Sequence, residues 1–373
     1  MALLAGCQGV QKEINLPASN RGDIGITNAQ IKNSIELGGE WFIHNQSEED
    51  FLHYKYLPYK DRYSTDNNDV RKMGALWSIN TLYNFTSDER HRDLAEKGMQ
   101  YFESFIEEEN SEGVSYVTID EKRKLAYPAF LIFSLIQMKE YSNRDEYLNA
   151  IARSILAHQR EDGSYQTYLG SNKTGGEDYY PGEANLALML LYKSTKDARY
   201  MEAVKKSFSY YQNHWKQNKT SAFVPWHTQA LFILYQFDPK EEYRDFIFEM
   251  SDYMLLKQQT PYVYKEKRFI GGFNDSPGIS TSSYLEGLID AYRLAKSTGD
   301  RVRERKYANA IRLAVKFLLR LQFREDNMYK LEELNNLARG GFRQSRDSSN
   351  LRVDNNQHAT MALIKIYREK LFD

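Results

Sequence analysis

The stretch YYPGEANLALMLLY (residues 179–192) joins a polar bend to a segment that is apolar on nearly every side. Pro181 and Gly182 favour a turn that leads into a helix, since proline fits the first helical turn. A helix that is apolar all round must be buried. The stretch therefore predicts a buried helix that begins beside two tyrosines and a carboxylate, Glu183.

Segments of this type recur along the chain and alternate with a second type. AFLIFSLIQM (129–138) and ALFILYQF (230–237) are also apolar on most sides. Between such segments lie others with one apolar stripe, for example Val204, Phe208 and Tyr211, whose intervals of four and three residues mark one helical face. The alternation predicts an inner layer and an outer layer of helices.

Hydrophobic periodicity predicts twelve helices in an all-α domain over residues 27–373. They are expected near residues 28–45, 70–85, 90–108, 127–140, 145–159, 182–194, 198–214, 226–237, 241–257, 281–297, 303–321 and 355–371. The inner helices are expected to begin near residues 71, 127, 182, 226, 282 and 355. A two-helix unit that recurs at about 50 residues is typical of repeat architectures. Six such units can close into a ring.

The long connections between helix pairs carry glycines and aromatic residues. Two of them contain strand-like segments, GVSYVTI (113–119) and YVYKEKRF (262–269). We therefore expect short β-hairpins in the long loops.

Composition excludes several classes of protein. The 373 residues carry 50 Lys and Arg against 51 Asp and Glu, with no basic stripe, so we expect no nucleic-acid partner. The 7 histidines have no metal-ligand spacing, and no glycine-rich nucleotide motif occurs, so neither a metal nor a cofactor is predicted. The 28 tyrosines suit helix packing, and they also suit polyhydroxylated ligands.

The only cysteine, Cys7, lies in LLAGC (3–7), a pattern at which bacterial lipoprotein signal peptides are cleaved. The stretch before it is shorter than the usual apolar region of about 7–15 residues. We interpret residues 1–26 as a truncated lipoprotein signal and a polar tether, with lipidation at Cys7. This interpretation predicts a protein anchored by lipid to a membrane surface of the bacterial cell envelope, in the periplasm or on the outer surface.

Polar and aromatic side chains recur where the inner helices are expected to begin, as in EDYYPGE (177–183) and RVDNNQH (352–358). Ser, Thr, Asp and Asn also cap helices, so each one alone has a structural explanation. If the inner helices run parallel, however, all six ends gather around one cavity. Helix N-termini carry partial positive charge and favour anionic groups there.

The candidate site residues follow from this arrangement, because carboxylates, histidines and aromatic rings around one cavity suit acid–base chemistry on a sugar. The catalytic candidates are Asp69, Glu183, Asp354 and His358. The substrate-binding candidates are Asp66, Arg71, Glu177, Asp178, Tyr179, Tyr180, Trp226, His227, Tyr284, Glu286, Arg339 and Arg352. The stretch ARGGFRQSRDSSNLR (338–352) is either a loop over an anionic ligand or a flexible connection.

Twelve helices in six hairpins, with acidic and Trp/Tyr-rich long loops, resemble the six-hairpin glycosidase superfamily of (α/α)6 toroids. The resemblance covers about residues 28–371 and rests on architecture. It implies glycoside hydrolase activity, and related toroids include polysaccharide lyases, sugar epimerases and terpenoid cyclases. The Asp-rich DxDD-like run expected of a terpenoid cyclase is absent from the sequence.

For a glycoside hydrolase acting on a polysaccharide, two carboxylates must flank the scissile bond. Asp69 and Glu183 are the first choice for this pair, since each lies where an inner helix is expected to begin. Asp354 is among the alternatives to either member. One carboxyl group would need a raised pKa to act as the acid.

Two other functions remain open. In a lyase or epimerase, Tyr180, His227 or His358 would abstract a proton beside a uronate carboxylate that Arg71 or Arg352 neutralises. In a non-catalytic lipoprotein, the cavity would bind a glycan or a protein without any reaction. A carbohydrate ligand is the partner that the first two functions share.

Overall fold

The computed structural model describes residues 25–328 and 336–372, so Cys7 and most of the predicted signal and tether lie outside the described residues. The described part holds twelve α-helices. They are α1 Asn28–His44, α2 Asp69–Thr86, α3 Glu89–Glu103, α4 Ala126–Gln137, α5 Arg144–Ala157, α6 Tyr180–Thr195, α7 Ala198–Gln217, α8 Val224–Phe237, α9 Glu241–Leu255, α10 Ser280–Ser297, α11 Arg301–Leu319 and α12 Val353–Arg368. Among these residues, no helix combines the length and the apolar character that crossing a membrane requires.

The six even-numbered helices form a closed inner ring. Each of them packs against the next, and α12 packs against α2 to complete the circle. The outer helices α3, α5, α7, α9 and α11 each pack on the inner helix that precedes them, while α1 packs on α12. The first and the last helix thus form the sixth pair, and the predicted (α/α)6 toroid is confirmed.

Burial follows the two types of segment seen in the sequence. In α6, every residue from Pro181 to Met189 is buried, as expected for a helix surrounded by other helices. In α7, burial is confined to one stripe that includes Tyr200, Val204 and Tyr211. Inner helices therefore have to be apolar on nearly all sides, and this requirement made the residues at which they begin predictable to within two positions.

An aromatic cluster occupies the middle of the ring. Trp77 of α2 lies 4.4 Å from Phe133 of α4 between ring centroids, and Trp226 of α8 lies 5.7 Å from Phe130. Trp226 and Phe130 line a cavity at one end of the ring, while Trp77 lines a cavity at the other end. The cluster therefore lies between the two cavities, and its aromatic rings form the floor, the innermost part of the wall, of each cavity.

The crossing of α6 and α8 depends on Gly182. A Cβ atom added there would lie 2.6 Å from Trp226 Cβ and 2.9 Å from His227 Cδ2, so one helix would have to move. We expect Gly182→Ala to lower the free energy of unfolding by about 1–3 kcal/mol, the usual cost of overpacking a core. Urea unfolding measures this loss, and an unchanged midpoint would contradict the close approach.

A short β-hairpin does lie in a long connection, formed by residues 55–63 between α1 and α2, but neither of the two segments predicted to form one does so. The segment 113–119 forms only isolated bridges, and 262–269 forms no strand, with Tyr262 80% exposed. The sheet lies elsewhere: β1 (Lys55–Leu57) pairs with both β2 (Arg62–Tyr63) and β3 (Leu351–Arg352). A β-strand forms only where another strand lies beside it, and the alternating sequence pattern of the segments 113–119 and 262–269 does not indicate whether such a partner is present.

Candidate active site

A cavity of about 440 Å³, here called the central cavity, lies at the N-terminal ends of the inner helices. All six inner helices contribute to its lining, so these ends do gather at one end of the ring. The lining includes Arg71, Phe130, Tyr179, Tyr180, Glu183, Trp226, Tyr284, Gln344, Arg352, Asp354, Gln357 and His358. Six helix N-termini around one cavity favour ligands that carry negative charge.

Glu183 is the most perturbed acid of the central cavity. It lies in the first turn of α6, where Tyr179 accepts a hydrogen bond from its backbone N–H, and only 4% of the residue is exposed. Its Oε2 has no hydrogen-bond partner among the described residues. Burial raises the pKa of Glu183 to about 8, because the charged form loses its hydration. The carboxyl group is therefore protonated at neutral pH and can donate a proton.

This raised pKa has a consequence for stability. Between an ordinary pKa of 4.5 and the folded value of about 8, the folded chain keeps a proton that the unfolded chain loses. Stability should therefore fall as the pH rises through this window, by about 1.4 kcal/mol per pH unit. Urea unfolding of the wild type and Glu183→Gln across the window isolates this contribution, because the other titratable groups are the same in both proteins and their effects cancel when the two stabilities are subtracted. The same dependence of stability on pH in both proteins would contradict this contribution.

A second arrangement joins α10 and α12 at the edge of the central cavity. His358 Nδ1 lies 2.6 Å from Oε1 of Glu286, which is 1% exposed. A carboxylate at this position favours the tautomer in which Nδ1 carries the hydrogen, so that Nε2 is left to accept a proton. The ring of His358 also lies 6.0 Å from that of Trp226, edge to face. His358 is thus held in place and faces the cavity.

Asp354 is the second carboxylate in the lining, and two guanidinium groups hold it. Arg352 donates to both of its oxygens, at 3.0 Å and 2.7 Å, and Arg71 Nε lies 3.3 Å from Oδ2. Arg71 also donates to the hydroxyl of Tyr54. Such bidentate pairing fixes both the carboxylate and the arginines in the cavity wall.

Four of the aromatic residues predicted to bind a substrate contribute to the wall of the central cavity. Tyr179, Tyr180, Trp226 and Tyr284 all line the central cavity. Tyr179 is at the rim, with 47% of its surface exposed, whereas Trp226 is 4% exposed and forms part of the floor. Tyr284 accepts a hydrogen bond from Asn274 Nδ2 at 3.2 Å.

The structure places the other predicted residues outside the lining. Asp69 accepts a hydrogen bond from Asn67 at 3.0 Å and does not join Glu183 in the cavity wall. The remaining acids and Arg339 make local contacts instead. Asp66 pairs with Lys55, Glu177 accepts from Thr167 at 3.3 Å, Asp178 follows Glu177 outside the wall, and Arg339 pairs with Glu325 at 3.2 Å.

His227 is buried in the core between α7 and α8. Its ring stacks on Phe223 at 3.6 Å between centroids, and only 2% of the residue is exposed. Burial lowers the pKa of His227 to about 3, so the imidazole is neutral. The neighbouring residue, Trp226, is the one that faces the cavity.

Several polar residues of the lining were not predicted from the sequence, among them Lys124 and Gln357. Lys124 lies two residues before α4, and burial lowers the pKa of its ammonium group. Gln357 of α12 is 2% exposed, and its Nε2 has no hydrogen-bond partner among the described residues. A single lysine before AYP and a glutamine among helix-capping residues give no distinctive signal. No group of three or more His, Cys, Asp or Glu side chains in the described part of the chain could hold a metal ion.

Comparison with solved structures finds the same architecture in several enzymes. A D-mannose isomerase superposes with a TM-score of 0.68 at 14% identity, over 94% of this chain and 100% of its own. The cellobiose 2-epimerase of Spirochaeta thermophila gives 0.67 at 12% identity, over 95% and 99%. The unsaturated glucuronyl hydrolase of Streptococcus agalactiae gives 0.61 at 13% identity, over 92% and 93%. Neither a protein-family model nor a curated protein matches the sequence.

Proposed function

Since the chain has the (α/α)6 toroid fold of the six-hairpin glycosidase-like proteins, we propose that it is a carbohydrate-active enzyme. The proposed site is the central cavity, and the first proposed reaction is hydrolysis of a glycosidic bond. One observation carries this proposal: Glu183 is a buried carboxyl group in the wall of a cavity of about 440 Å³, burial raises its pKa to about 8, and its Oε2 has no hydrogen-bond partner among the described residues.

The proposed mechanism uses Glu183 as the general acid. Its proton moves to the glycosidic oxygen as the bond between that oxygen and the anomeric carbon breaks. A water molecule supplies the hydroxyl that the anomeric carbon gains, and its remaining proton restores the acid. Asp354 is the second carboxylate of the lining, and while it stays paired with Arg352 and Arg71 we assign to it the stabilisation of the positive charge that develops on the sugar ring.

The charge of the lining favours an acidic sugar. Arg71, Lys124 and Arg352 face the central cavity, whereas the carboxyl groups among its described lining residues are Asp354 and Glu183, and burial raises the pKa of Glu183 to about 8. Because cations exceed anions there, a uronate carboxylate would find a complementary surface. Trp226 and the lining tyrosines provide flat faces for the sugar ring.

A second reaction is favoured by one specific contact, the bond between His358 and Glu286. A histidine whose Nδ1 is held by a carboxylate can accept a proton at Nε2. In a sugar epimerase or isomerase, that proton would come from the carbon beside the carbonyl of the open-chain sugar. In a lyase, it would come from the carbon beside a uronate carboxylate.

The lipid anchor at Cys7 and a position on the cell envelope belong to the same proposal. Their support is the LLAGC stretch, which lies outside the described residues. Expression with a complete signal peptide, followed by detergent phase partition, tests this part. The wild type should enter the detergent phase and Cys7→Ser should not, whereas equal partition of the two would contradict lipidation at Cys7.

The reaction is tested with a panel of neutral and uronic-acid oligosaccharides in heavy water. New reducing ends indicate hydrolysis, an unsaturated product indicates a lyase, and deuterium incorporation without cleavage indicates an epimerase or isomerase. We expect new reducing ends from a uronic-acid substrate. Binding of an oligosaccharide with no product of any kind would contradict catalysis and support a glycan-binding protein.

A further inference from the structure

Three arginines gather at the C-terminal end of α11: Arg320 directly follows the helix, while Arg343 and Arg346 belong to the segment 338–352, which the sequence left either as an anion loop or as a connection. Arg343 Nη2 donates to the backbone carbonyl of Arg320 at 2.9 Å, and Arg346 Nη1 donates to the same carbonyl at 3.0 Å. The guanidinium group of Arg320 in turn donates to the carbonyl of Ile270 at 2.7 Å. Two guanidinium groups that share one acceptor must lie close together.

A helix C-terminus explains only part of this arrangement. Arginines often bind the last carbonyls of a helix, but the negative end of the helix dipole amounts to about half a charge. The positive charge of three guanidinium groups is much larger than this partial negative charge. Burial lowers the pKa of both Arg320 and Arg343, and repulsion from the positive charge of Arg346 lowers both further.

No carboxylate in the described part of the chain pairs with any of the three arginines. The acids nearest in sequence are engaged with other cations: Asp326 with Arg324, Asp347 with Arg268, and Glu325 with Arg339. In addition, the Nε atoms of Arg320 and Arg346 are buried and have no hydrogen-bond partner within residues 25–328 and 336–372. The cluster therefore has both uncompensated charge and unused donors.

Two cavities adjoin the cluster, one through a sequence neighbour of Arg343 and the other through Arg320 itself. Gln344, which stands between Arg343 and Arg346 in sequence, lines the central cavity. Arg320 lines a separate cavity of about 540 Å³ between α1 and the end of α11, whose other charged lining residues are Lys316, Arg324 and Asp326. An anion in this second cavity can thus reach Arg320 without entering the first.

We propose that Arg320, Arg343 and Arg346 form a binding site for an oxyanion, either a free phosphate-like ion or an anionic group of a bound glycan. Guanidinium groups present paired N–H donors that match the oxygens of carboxylate, phosphate and sulfate. The anion site does not depend on the proposed function. Only the suggestion that the anionic group belongs to a glycan rests on the proposed function.

Titration of the protein with inorganic phosphate at low ionic strength tests the site. We expect phosphate to raise the melting temperature and to bind about tenfold more weakly to Arg346→Gln, since one charge-assisted interaction is lost. Without phosphate, Arg346→Gln should be at least as stable as the wild type, because repulsion is relieved and an amide donor remains. Arg305→Gln, an exposed arginine near the other end of α11, is the matched control and should bind phosphate normally.

Two results would overturn the site. One is an equal phosphate affinity of the wild type and Arg346→Gln. The other is a less stable Arg346→Gln together with no effect of phosphate on either protein, which would make the arginines a helix cap alone. A second arm adds polygalacturonate: competition with phosphate supports the glycan carrier, and its absence rejects that carrier. Neither arm requires turnover, so both results are independent of the proposed reaction.

Discussion

Glu183→Gln should lower turnover of the substrate by about 10²–10⁴-fold, the usual contribution of a general acid. Glutamine keeps the size and the polarity of the side chain but has no proton to transfer. Substrate affinity should change little, because Glu183 is expected to act on the leaving group in the transition state. Initial rates with the substrate found in the oligosaccharide panel measure this loss.

The Glu183→Gln protein should stay folded, because the substitution removes the energetic penalty of burying an ionisable group and breaks no hydrogen bond to Oε2 among the described residues. Circular dichroism and the unfolding midpoint check this point. Glu202→Gln removes an exposed carboxylate of α7 that pairs with Lys205 at 3.1 Å, and it should leave turnover unchanged. Retention of more than a tenth of the wild-type rate by Glu183→Gln would contradict its role as the acid.

The second large effect concerns the buried ion pair between α10 and α12. Lys365 Nζ lies 2.7 Å from Oδ2 of Asp290 and also donates to Gln229 at 2.7 Å. Asp290 is 4% exposed. In Lys365→Met, the buried carboxylate of Asp290 would keep only Arg293 as an ion-pair partner among the described residues. We expect a loss of about 3 kcal/mol in the free energy of unfolding, as is typical when one partner of a buried pair is removed.

The double variant Lys365→Met, Asp290→Asn should recover part of that loss, because the buried charge is then gone. An exposed pair provides the comparison: Lys219 lies 3.0 Å from Glu249, and both side chains are 40% exposed. Lys219→Met should cost no more than about 1 kcal/mol. Urea unfolding measures all three variants, and equal losses for Lys365→Met and Lys219→Met would be inconsistent with a buried pair.

The ring of helices could be predicted because an inner helix has to be apolar on nearly every side. That requirement is local, so segments such as 182–194 and 226–237 reveal it without knowledge of their neighbours. The sheet could not be predicted in the same way. It joins Tyr56 to Leu351, and a pairing between residues so far apart in sequence depends on the closure of the whole ring.

The site was less predictable than the fold, because the direction of a side chain depends on the rotation of its helix. Asp69 and Glu183 look alike in sequence, yet Asp69 is the first residue of α2 and lies outside the cavity wall, whereas Glu183 is one turn into α6 and lines it. Trp226 and His227 are neighbours, but a helix turns by about 100° per residue. Only Trp226 therefore lines the cavity.

The protonation state of Glu183 decides whether this residue can act as the proposed acid, and a carboxyl titration measures that state directly. Carbon-13 NMR of the glutamate side chains, with Glu183→Gln to assign the signal, gives its pKa in the folded protein. We expect a value near 8, caused by burial in the central cavity. A titration midpoint near the ordinary value of 4.5 would contradict the claim that the cavity holds a carboxylic acid ready to donate its proton at neutral pH.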